Sequence, residues 1–419
     1  MHETDKITEK VILIAVDNEE GAVKVEDSLI ELKELAQTAG VEVLSELVQK
    51  RDGVHRAHYF GKGKLEELAD LIIELNATGI IADDELTNSQ IKNMEKILDT
   101  KIMDRTLLIL DIFARNASTA EGKAQVELAQ LKYNLGHLAG IGANLSRIGG
   151  GVGTRTRGAG EKKLEIDKRR IREKITELNR ELEDIQSHRK VTREKRERKG
   201  IPVVSMVGYT NAGKSTLMNC LTSADVLAEN KLFATLDTVS RKLLLKGGSE
   251  ALFSDTVGFI NKLPHNLIKA FDATLSELKF ADIIVHVVDS SSEIREEQMG
   301  VVYKTLESLG CKDKPIITVF NKIDKEITYP LPVDRYSVET VSISALTGQN
   351  IDEFLDIIEK IINSFKKKVK VLIPYSEGAL INHIHSGCEI LNEEHTGEGT
   401  VIELFADDKT FNKLEKHFI

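Results

Sequence analysis

A chain of 419 residues exceeds one ordinary domain, and 41% hydrophobic with 30% charged residues is the balance of a water-soluble protein with cores in about two to four units. No apolar run approaches a membrane span, Met1–Lys6 lacks a signal-peptide pattern, and three scattered cysteines (Cys220, Cys311, Cys388) exclude a disulfide framework. The expected setting is therefore the reducing cytoplasm, with peripheral membrane association left open, and a net charge of −10 confines any nucleic-acid binding to a local basic patch.

Residues 1–117 alternate strand-like and helical runs. Val11–Val16 is followed by a helix around Leu29–Ala39, then Val41–Leu47, a helix over Leu65–Leu75, Gly79–Ala82, a helix near Ser89–Leu98, Lys101–Met103 and Leu107–Phe113. The alternation predicts βα units around a small parallel sheet. No glycine-rich phosphate signature marks a strand end here, and Gly61-Lys-Gly63 reads as a turn before a helix.

Residues 118–199 have a purely helical texture. Ser118-Thr-Ala-Glu121 has the pattern of a capping box. Leu128, Leu131, Leu135 and Leu138 form one apolar seam, and Leu164, Ile171, Ile175, Leu178, Leu182 and Ile185 form a second. Each stripe is too narrow to bury itself, so the spacing predicts an antiparallel hairpin whose connecting loop spans 139–160. That loop carries Arg147, Arg155 and Arg157 among glycines, with Lys162 and Lys163 following. Glycine permits close backbone approach and arginine pairs with phosphate, so the tip reads as an RNA probe held away from an acidic body; a flexible linker is the plainer alternative. Arg189–Lys199 is a second basic stretch, for which a solvated helix face serves equally well.

Gly200 and Pro202 punctuate the entry to residues 200–366, where the pattern predicts a doubly wound sheet of about five or six strands. The apolar run Ile201–Val207 feeds Gly208, Tyr209, Thr210, Asn211, Ala212, Gly213, Lys214 and Ser215, a complete G-x-x-x-x-G-K-S loop, with Thr216 behind it. A strand, a glycine-rich turn and a helix start concentrate backbone N–H groups into an anion site. Lys214 is expected at the β/γ-phosphates and Ser215 on Mg²⁺. Residues 367–419 read as a small α+β appendage, so the whole is an α/β chain with a helical hairpin inserted between two α/β domains.

The base is specified further along. Asn321, Lys322, Ile323 and Asp324 follow the strand Pro315–Phe320, and a carboxylate at Asp324 can accept from both guanine N1–H and the exocyclic amine, a donor pair adenine lacks. Asn321 is expected at N7, the Lys322 stem along the ring, and Ser344, Ala345 and Leu346 near O6. Asp255, Thr256, Val257 and Gly258 form a D-x-x-G element, with Asp255 expected on Mg²⁺ through water and the Gly258 N–H at the γ-phosphate. Phe233, Ala234, Thr235, Leu236 and Asp237 lie between, with Thr235 the choice for a second Mg²⁺ hydroxyl over Thr238. Lys214, Thr235 and Gly258 are the expected catalytic positions. Phe259 stands where many GTPases place a water-orienting glutamine, which predicts slow turnover until a partner acts. Asn211 occupies the position at which cation-activated GTPases bind K⁺; a loop brace is the alternative. His383, His385 and Cys388 have metal-compatible side chains but no evident fourth ligand beyond His395, so a packing or surface role is expected.

These elements, in this order, resemble the HflX family of ribosome-associated GTPases. The resemblance is carried by Gly149–Glu161, Asp167–Ile171, Gly208–Thr216, Phe233–Asp237, Asp255–Ile260, Leu263-Pro-His265 and Ala270–Leu275, over nearly the whole chain. It implies a GTPase that engages the large ribosomal subunit through its N-terminal domain and hairpin, and splits or rescues stalled or idle ribosomes; apart from the resemblance, a monomer is expected, although the sequence does not fix the oligomeric state. The glycine-arginine loop is then expected near the peptidyl transferase centre. Thr156, Arg157, Lys162, Lys163 and Val239 depart from the family pattern. The rival expectations are a signalling switch for a protein partner, a ribosome assembly factor, and a second nucleotide activity in the N-terminal domain.

Overall fold

The computed structural model describes residues 9–18, 24–148, 159–198, 200–222, 233, 239–248, 250–262, 276–406 and 408–419, with backbone alone at 139–148, 159–164 and 195–198 and at several positions near the C-terminus. The N-terminal unit runs β1 (Lys10–Asp17), α1 (Val25–Thr38), β2 (Glu42–Lys50), α2 (Lys62–Leu75), β3 (Gly79–Ala82), α3 (Asn88–Leu98), β4 (Lys101–Asp104) and α4 (Arg105–Asn116). Its four strands are parallel in the order β2-β1-β3-β4. β1 and β3 are covered on both faces, which is why Val11–Val16 and Gly79–Ala82 are continuous apolar runs instead of alternating ones. Thr87 and Gln90 close a reciprocal capping box at the start of α3.

Two long helices follow, α5 (Ala120–Ile148) and α6 (Ala159–Arg198). Leu128 and Leu131 pack on Ile175, Leu178 and Leu182, and Arg189 pairs with Glu121 at 2.6 Å, so the hairpin is antiparallel. Two expectations are corrected here. The backbone is helical through Ile148 and again from Ala159, so most of 139–160 is helix; glycine inside a helix costs only about 1 kcal/mol relative to alanine, and no proline interrupts the run. Helix α5 begins after Thr119, whose hydroxyl accepts from the Gly122 N–H at 2.9 Å, one residue beyond the cap that the Ser118–Glu121 spacing suggests. On its other face α5 places Val126, Ala129 and Tyr133 in the N-terminal core, which fixes the root of the hairpin.

The next unit contains β5 (Val203–Gly208), α7 (Lys214–Thr222), β6 (Val239–Leu244), β7 (Glu250–Asp255), β8 (Ile283–Asp289), α8 (Arg295–Ser308), β9 (Ile316–Asn321), β10 (Glu339–Ser342) and α9 (Ile351–Ser364). Its six-stranded order is β10-β9-β8-β5-β7-β6, parallel except for β6 at the edge. A small antiparallel sheet of β11 (Lys367–Ile373), β12 (Glu389–His395) and β13 (Thr400–Ala406), ordered β11-β13-β12, carries α10 (Gly378–Gly387) and α11 (Asp408–Leu414).

The first two α/β units share one core. Phe113, Tyr133 and Leu110 of the N-terminal side pack in the same buried cluster as Phe233, Phe259, Ile260 and Leu278. Each buried Phe or Ile contributes about 1.5–3 kcal/mol, so this seam holds the N-terminal domain directly against the nucleotide-sensing segments. The basic end of α6 adds to the grip: Arg193 bonds Glu277 at 3.1 Å and stacks over Phe280, and Arg189 reaches both Glu121 and Glu277. Two arginines of the second basic stretch are thus committed within the chain.

Candidate guanine-nucleotide site

The loop between β5 and α7 can be built only from glycine at two places. Gly208 has φ +155°, and a Cβ there would collide with the Val287 carbonyl; Gly213 has φ +95°, and a Cβ would collide with the Asn321 amide. The loop's glycine spacing is therefore set by its neighbours β8 and β9. It is also stitched to the D-x-x-G segment, since the Thr210 N–H donates to the Phe259 carbonyl (2.8 Å) and the Phe259 N–H to the Gly208 carbonyl (3.1 Å). A side chain on Gly258 would lie 2.8 Å from Thr210 Cγ2 and 3.1 Å from Lys214 Nζ, so loop, lysine and D-x-x-G glycine meet at one point.

Lys214 is buried, with Nζ donating to the carbonyls of Gly208 (3.0 Å) and Tyr209 (2.9 Å). Burial pulls its pKa down to about 8 against the opposing pull of Asp255, as befits an ammonium waiting for an anion. The Ser215 hydroxyl donates to the Asp255 carboxylate at 2.8 Å. A hydroxyl and a fully buried carboxylate side by side are a hard-oxygen donor set that fits Mg²⁺. Ala212 is buried, and Thr216 lies in the first turn of α7. Thr256 turns away, its hydroxyl bonded to the Met206 carbonyl at 2.7 Å, and Val257 is buried in the interdomain core.

The base-recognition motifs converge on the same edge. The Asn321 amide nitrogen donates to the Ala212 carbonyl and its oxygen accepts from the Ala345 N–H, both at 2.9 Å, so one side chain ties three loops. Lys322, at φ +68°, reaches the Asn211 carbonyl and Asp289, both at 2.7 Å. Asp324 is exposed and is aimed by the Ser344 hydroxyl, which donates to it at 2.5 Å. The Ile323 N–H donates to the Ile343 carbonyl at 3.3 Å, while Leu346 is 77% exposed. Asn211 has φ +60°, and its side-chain amide has no hydrogen-bond partner among the described residues.

Other expected positions fall elsewhere. Ala234, Thr235, Leu236, Asp237 and Thr238 lie outside the described residues, as do Arg155 and Arg157. Phe233 points into the interdomain core and not toward the nucleotide loop: its ring meets Phe113 edge-on at 4.6 Å, and its carbonyl accepts from Asn116 at 2.7 Å. Arg147 lies near the end of α5 and Lys162 and Lys163 in the first turns of α6. Among the described residues no cluster of His, Cys, Asp or Glu could hold a metal, and His385 instead faces Glu393 at 3.2 Å. No described helix is long and apolar enough to cross a membrane.

The structure adds a buried hub that the motifs do not contain. The Arg105 guanidinium, 2% exposed, bonds Glu31 and Asp83 at 2.8 Å each and the Asn261 carbonyl at 3.2 Å. Tyr209 of the phosphate loop donates to Glu31 (2.8 Å) and accepts from the Asn261 N–H (2.7 Å), while Lys262 bonds Asp83 (2.5 Å) and Asp84 (2.7 Å). Burial pushes the Glu31 carboxyl up despite Arg105; at Asp83 the neighbouring Arg105 and Lys262 outweigh burial and hold the carboxyl below its usual range. The residues directly after Phe259 and Ile260 are thus held by α1, β3 and α4 of the N-terminal domain. Beside them a cavity of about 290 Å³ is lined by Asp27, Glu31, Glu34 and Asp289 together with Tyr209, Thr210 and Asn211 of the phosphate loop.

Known proteins resemble this chain in sequence. A family described as "GTP-binding GTPase N-terminal" matches residues 26–114, "GTP-binding GTPase Middle Region" matches 116–196, and "50S ribosome-binding GTPase" matches 203–322. GTPase HflX of Lacrimispora saccharolytica is 49% identical, covering 98% of this chain and 97% of that protein. The chain belongs to the HflX family of GTPases. GTPase HflX of Caldanaerobacter subterraneus is 46% identical over 96% of this chain and 92% of its own length, and that of Escherichia coli 36% over 90% and 88%. All three HflX relatives span the N-terminal, hairpin and nucleotide units together, so the hub joins parts that occur in one polypeptide throughout these matches.

Proposed function

We propose that the chain is a ribosome-associated GTPase whose GTP state governs binding to the large subunit, and that hydrolysis is coupled to splitting or rescue of stalled or idle ribosomes. The observation that carries this reading is the convergence of Lys214, Ser215, Asp255 and Gly258 with the Asn321–Asp324 edge, with Asn261 and Lys262 after Gly258 clamped by Arg105, Asp83 and Asp84 of the N-terminal domain. The description of the matched family as a 50S ribosome-binding GTPase supports the choice of partner.

In this reading the loop N–H groups and Lys214 neutralise the β/γ-phosphates. Ser215, Asp255 and Thr235 would hold Mg²⁺, which would supply charge neutralisation at the phosphates. Asp324 accepts from the guanine N1–H and amine, the Lys322 stem covers the ring, and Asn321 holds the loops together and faces N7. The Ala345 N–H, which donates to Asn321 Oδ1, is shared with O6. Gly258 donates its N–H to the γ-phosphate, and Phe259, which follows directly and is bonded back to Gly208, joins that contact to the segment leading to Asn261 and Lys262. Phe259 is 2% exposed and offers no hydrogen bond to water, so intrinsic hydrolysis is slow and the ribosome completes the site. The glycine-arginine segment with Arg147, Arg155, Arg157, Lys162 and Lys163 meets rRNA phosphates.

Sedimentation with purified 50S subunits tests this. Co-pelleting with a non-hydrolysable GTP analogue and not with GDP is expected; equal pelleting in both states, or none, rejects it.

A further inference from the structure

Residues 50–64 connect β2 to α2 and contain five lysines and arginines against one aspartate, in a chain of net charge −10. Lys50, Arg51, Arg56 and Lys62 are exposed, and none of these four side chains has an ion-pair partner among the described residues; Lys64 alone is paired, to Glu67 at 2.8 Å. A lone surface cation carries little information. Four unpaired ones on a fixed frame, in an acidic protein, imply an anion from outside.

The frame is well fixed. His55 and Tyr59 exchange backbone bonds (2.8 and 3.0 Å), and His55 Nδ1 accepts from the N–H groups of Ala57 (3.2 Å) and His58 (3.3 Å), which places the imidazole proton on Nε2. Gln90 and Asn93 of α3 hold the carbonyls of His55 and Ala57 at 2.9 Å each. Tyr59 sits in the left-handed region at φ +64°, its buried ring anchored by a 2.7 Å bond to Asp84. The His55 and His58 rings stack at 5.3 Å and 17°.

Helix α2 opens onto the same place. Its N-cap is Gly61, with no side-chain cap, and its first turn has no acidic residue, so its positive end is not neutralised from within. The Arg51 guanidinium lies 3.7 Å from where a Gly61 Cβ would be, which brings it to the start of α2, whose first residue is the exposed Lys62. Gln49 fills the space beside Gly61 and accepts its N–H at 2.8 Å, whereas a Cβ on Gly63 would meet nothing within 4 Å, so the room for an oxygen-rich ligand against the backbone is at Gly63.

We propose that this loop is an RNA-docking surface, in which Arg51, Arg56, Lys62 and the start of α2 take backbone phosphates and the stacked imidazoles present a flat face to a base. It rests on the ribosome-binding reading above but uses residues separate from the glycine-arginine segment. Arginine's planar fork and the first backbone N–H groups of α2 suit phosphodiester oxygens, and the flat face of stacked imidazoles suits an unpaired base.

The test titrates full-length protein and the Arg51→Ala/Arg56→Ala/Lys62→Ala variant into 50S subunits with a GTP analogue, across a salt series. The variant is expected to bind at least tenfold more weakly, with the slope of log affinity against log salt shallower by about two, since each phosphate no longer neutralised removes roughly 0.7–0.9. Its ribosome-free GTPase rate stays that of the parent. Parent binding matched by the variant in affinity and slope overturns the surface while the ribosome reading stands. Weaker binding with an unchanged slope assigns the surface to a protein partner and overturns RNA. Failure of the parent itself to bind sinks the underlying reading and the surface with it.

Discussion

Arg105→Met is the perturbation whose consequence follows most directly from the geometry. The guanidinium is 2% exposed, and its loss leaves the two carboxylates in unequal positions. Asp83 keeps Lys262 at 2.5 Å and the Ser28 hydroxyl at 2.7 Å, whereas Glu31 keeps only neutral partners, Tyr209 at 2.8 Å and the Asn261 N–H at 3.4 Å. Breaking a buried pair costs about 3–5 kcal/mol, because one charge is left without compensation. Glu31 is already pushed up by burial, and without Arg105 it rises further. A carboxyl with a raised folded pKa contributes stability that is present at acid pH and is lost as pH rises from the unfolded value through the folded one. The Arg105→Met penalty should therefore be smaller near pH 5 than near pH 8. Adding Glu31→Gln should recover part of it, since the amide keeps the bond to Tyr209 without the charge; a double-mutant cycle by urea unfolding should give a coupling of about 2 kcal/mol or more. A penalty under about 1 kcal/mol that is flat with pH, with additive single mutants, would show that the hub does not hold the two domains together.

Three further outcomes are expected. Lys214, held at about 8 by burial, is partly deprotonated in free protein above that pH, and a bound phosphate restores its proton; GTP binding near pH 9 should thus take up protons, as calorimetry in buffers of different ionisation enthalpy would detect, and binding near pH 7 should not. His286, fully buried and lowered to about 4, is protonated in the unfolded chain below about pH 6.5 but not in the folded one, so acidification from 6.5 to 4 should cost roughly 3 kcal/mol that a His286→Asn variant does not lose. If the free Asn211 amide helps bind K⁺, GTP hydrolysis should be faster in K⁺ than in matched Na⁺ buffer and Asn211→Ala should abolish the difference; equal rates in the two salts reject K⁺.

The nucleotide motifs are legible in the sequence because each is local: glycine spacing, a strand before it and a helix after it lie within a dozen residues of Lys214. The parallel sheets are legible for the same reason, as buried strands such as Val11–Val16 and Ile316–Asn321 are uninterrupted apolar runs. The hub is not. Arg105 and Asp83 read locally as the starts and ends of elements, and Lys262 meets Asp83 across 179 residues, a pairing that no periodicity encodes. The motif around Phe233 assigns it to the nucleotide, although an aromatic beside Asn116 and Phe113 gains more by burial at the domain seam. Asp289 escapes motif reading too; its signal is a carboxylate closing an apolar strand, Ile283–Asp289, next to the phosphate loop. Helix continuation through 139–148 is hidden by glycines weighted as breakers, when the flanking seam residues favour helix.

The most direct measurement changes the base and reads the ribosome. Asp324→Asn replaces the acceptor of the guanine N1–H and amine with an amide that can donate to the 2-oxo group of xanthine. With 50S subunits, the variant should co-sediment in a non-hydrolysable XTP analogue and not in the GTP analogue, the reverse of the parent. Co-sedimentation of the variant that is undiminished with the GTP analogue, or equal with no nucleotide, would contradict control of ribosome binding by guanine recognition at Asp324.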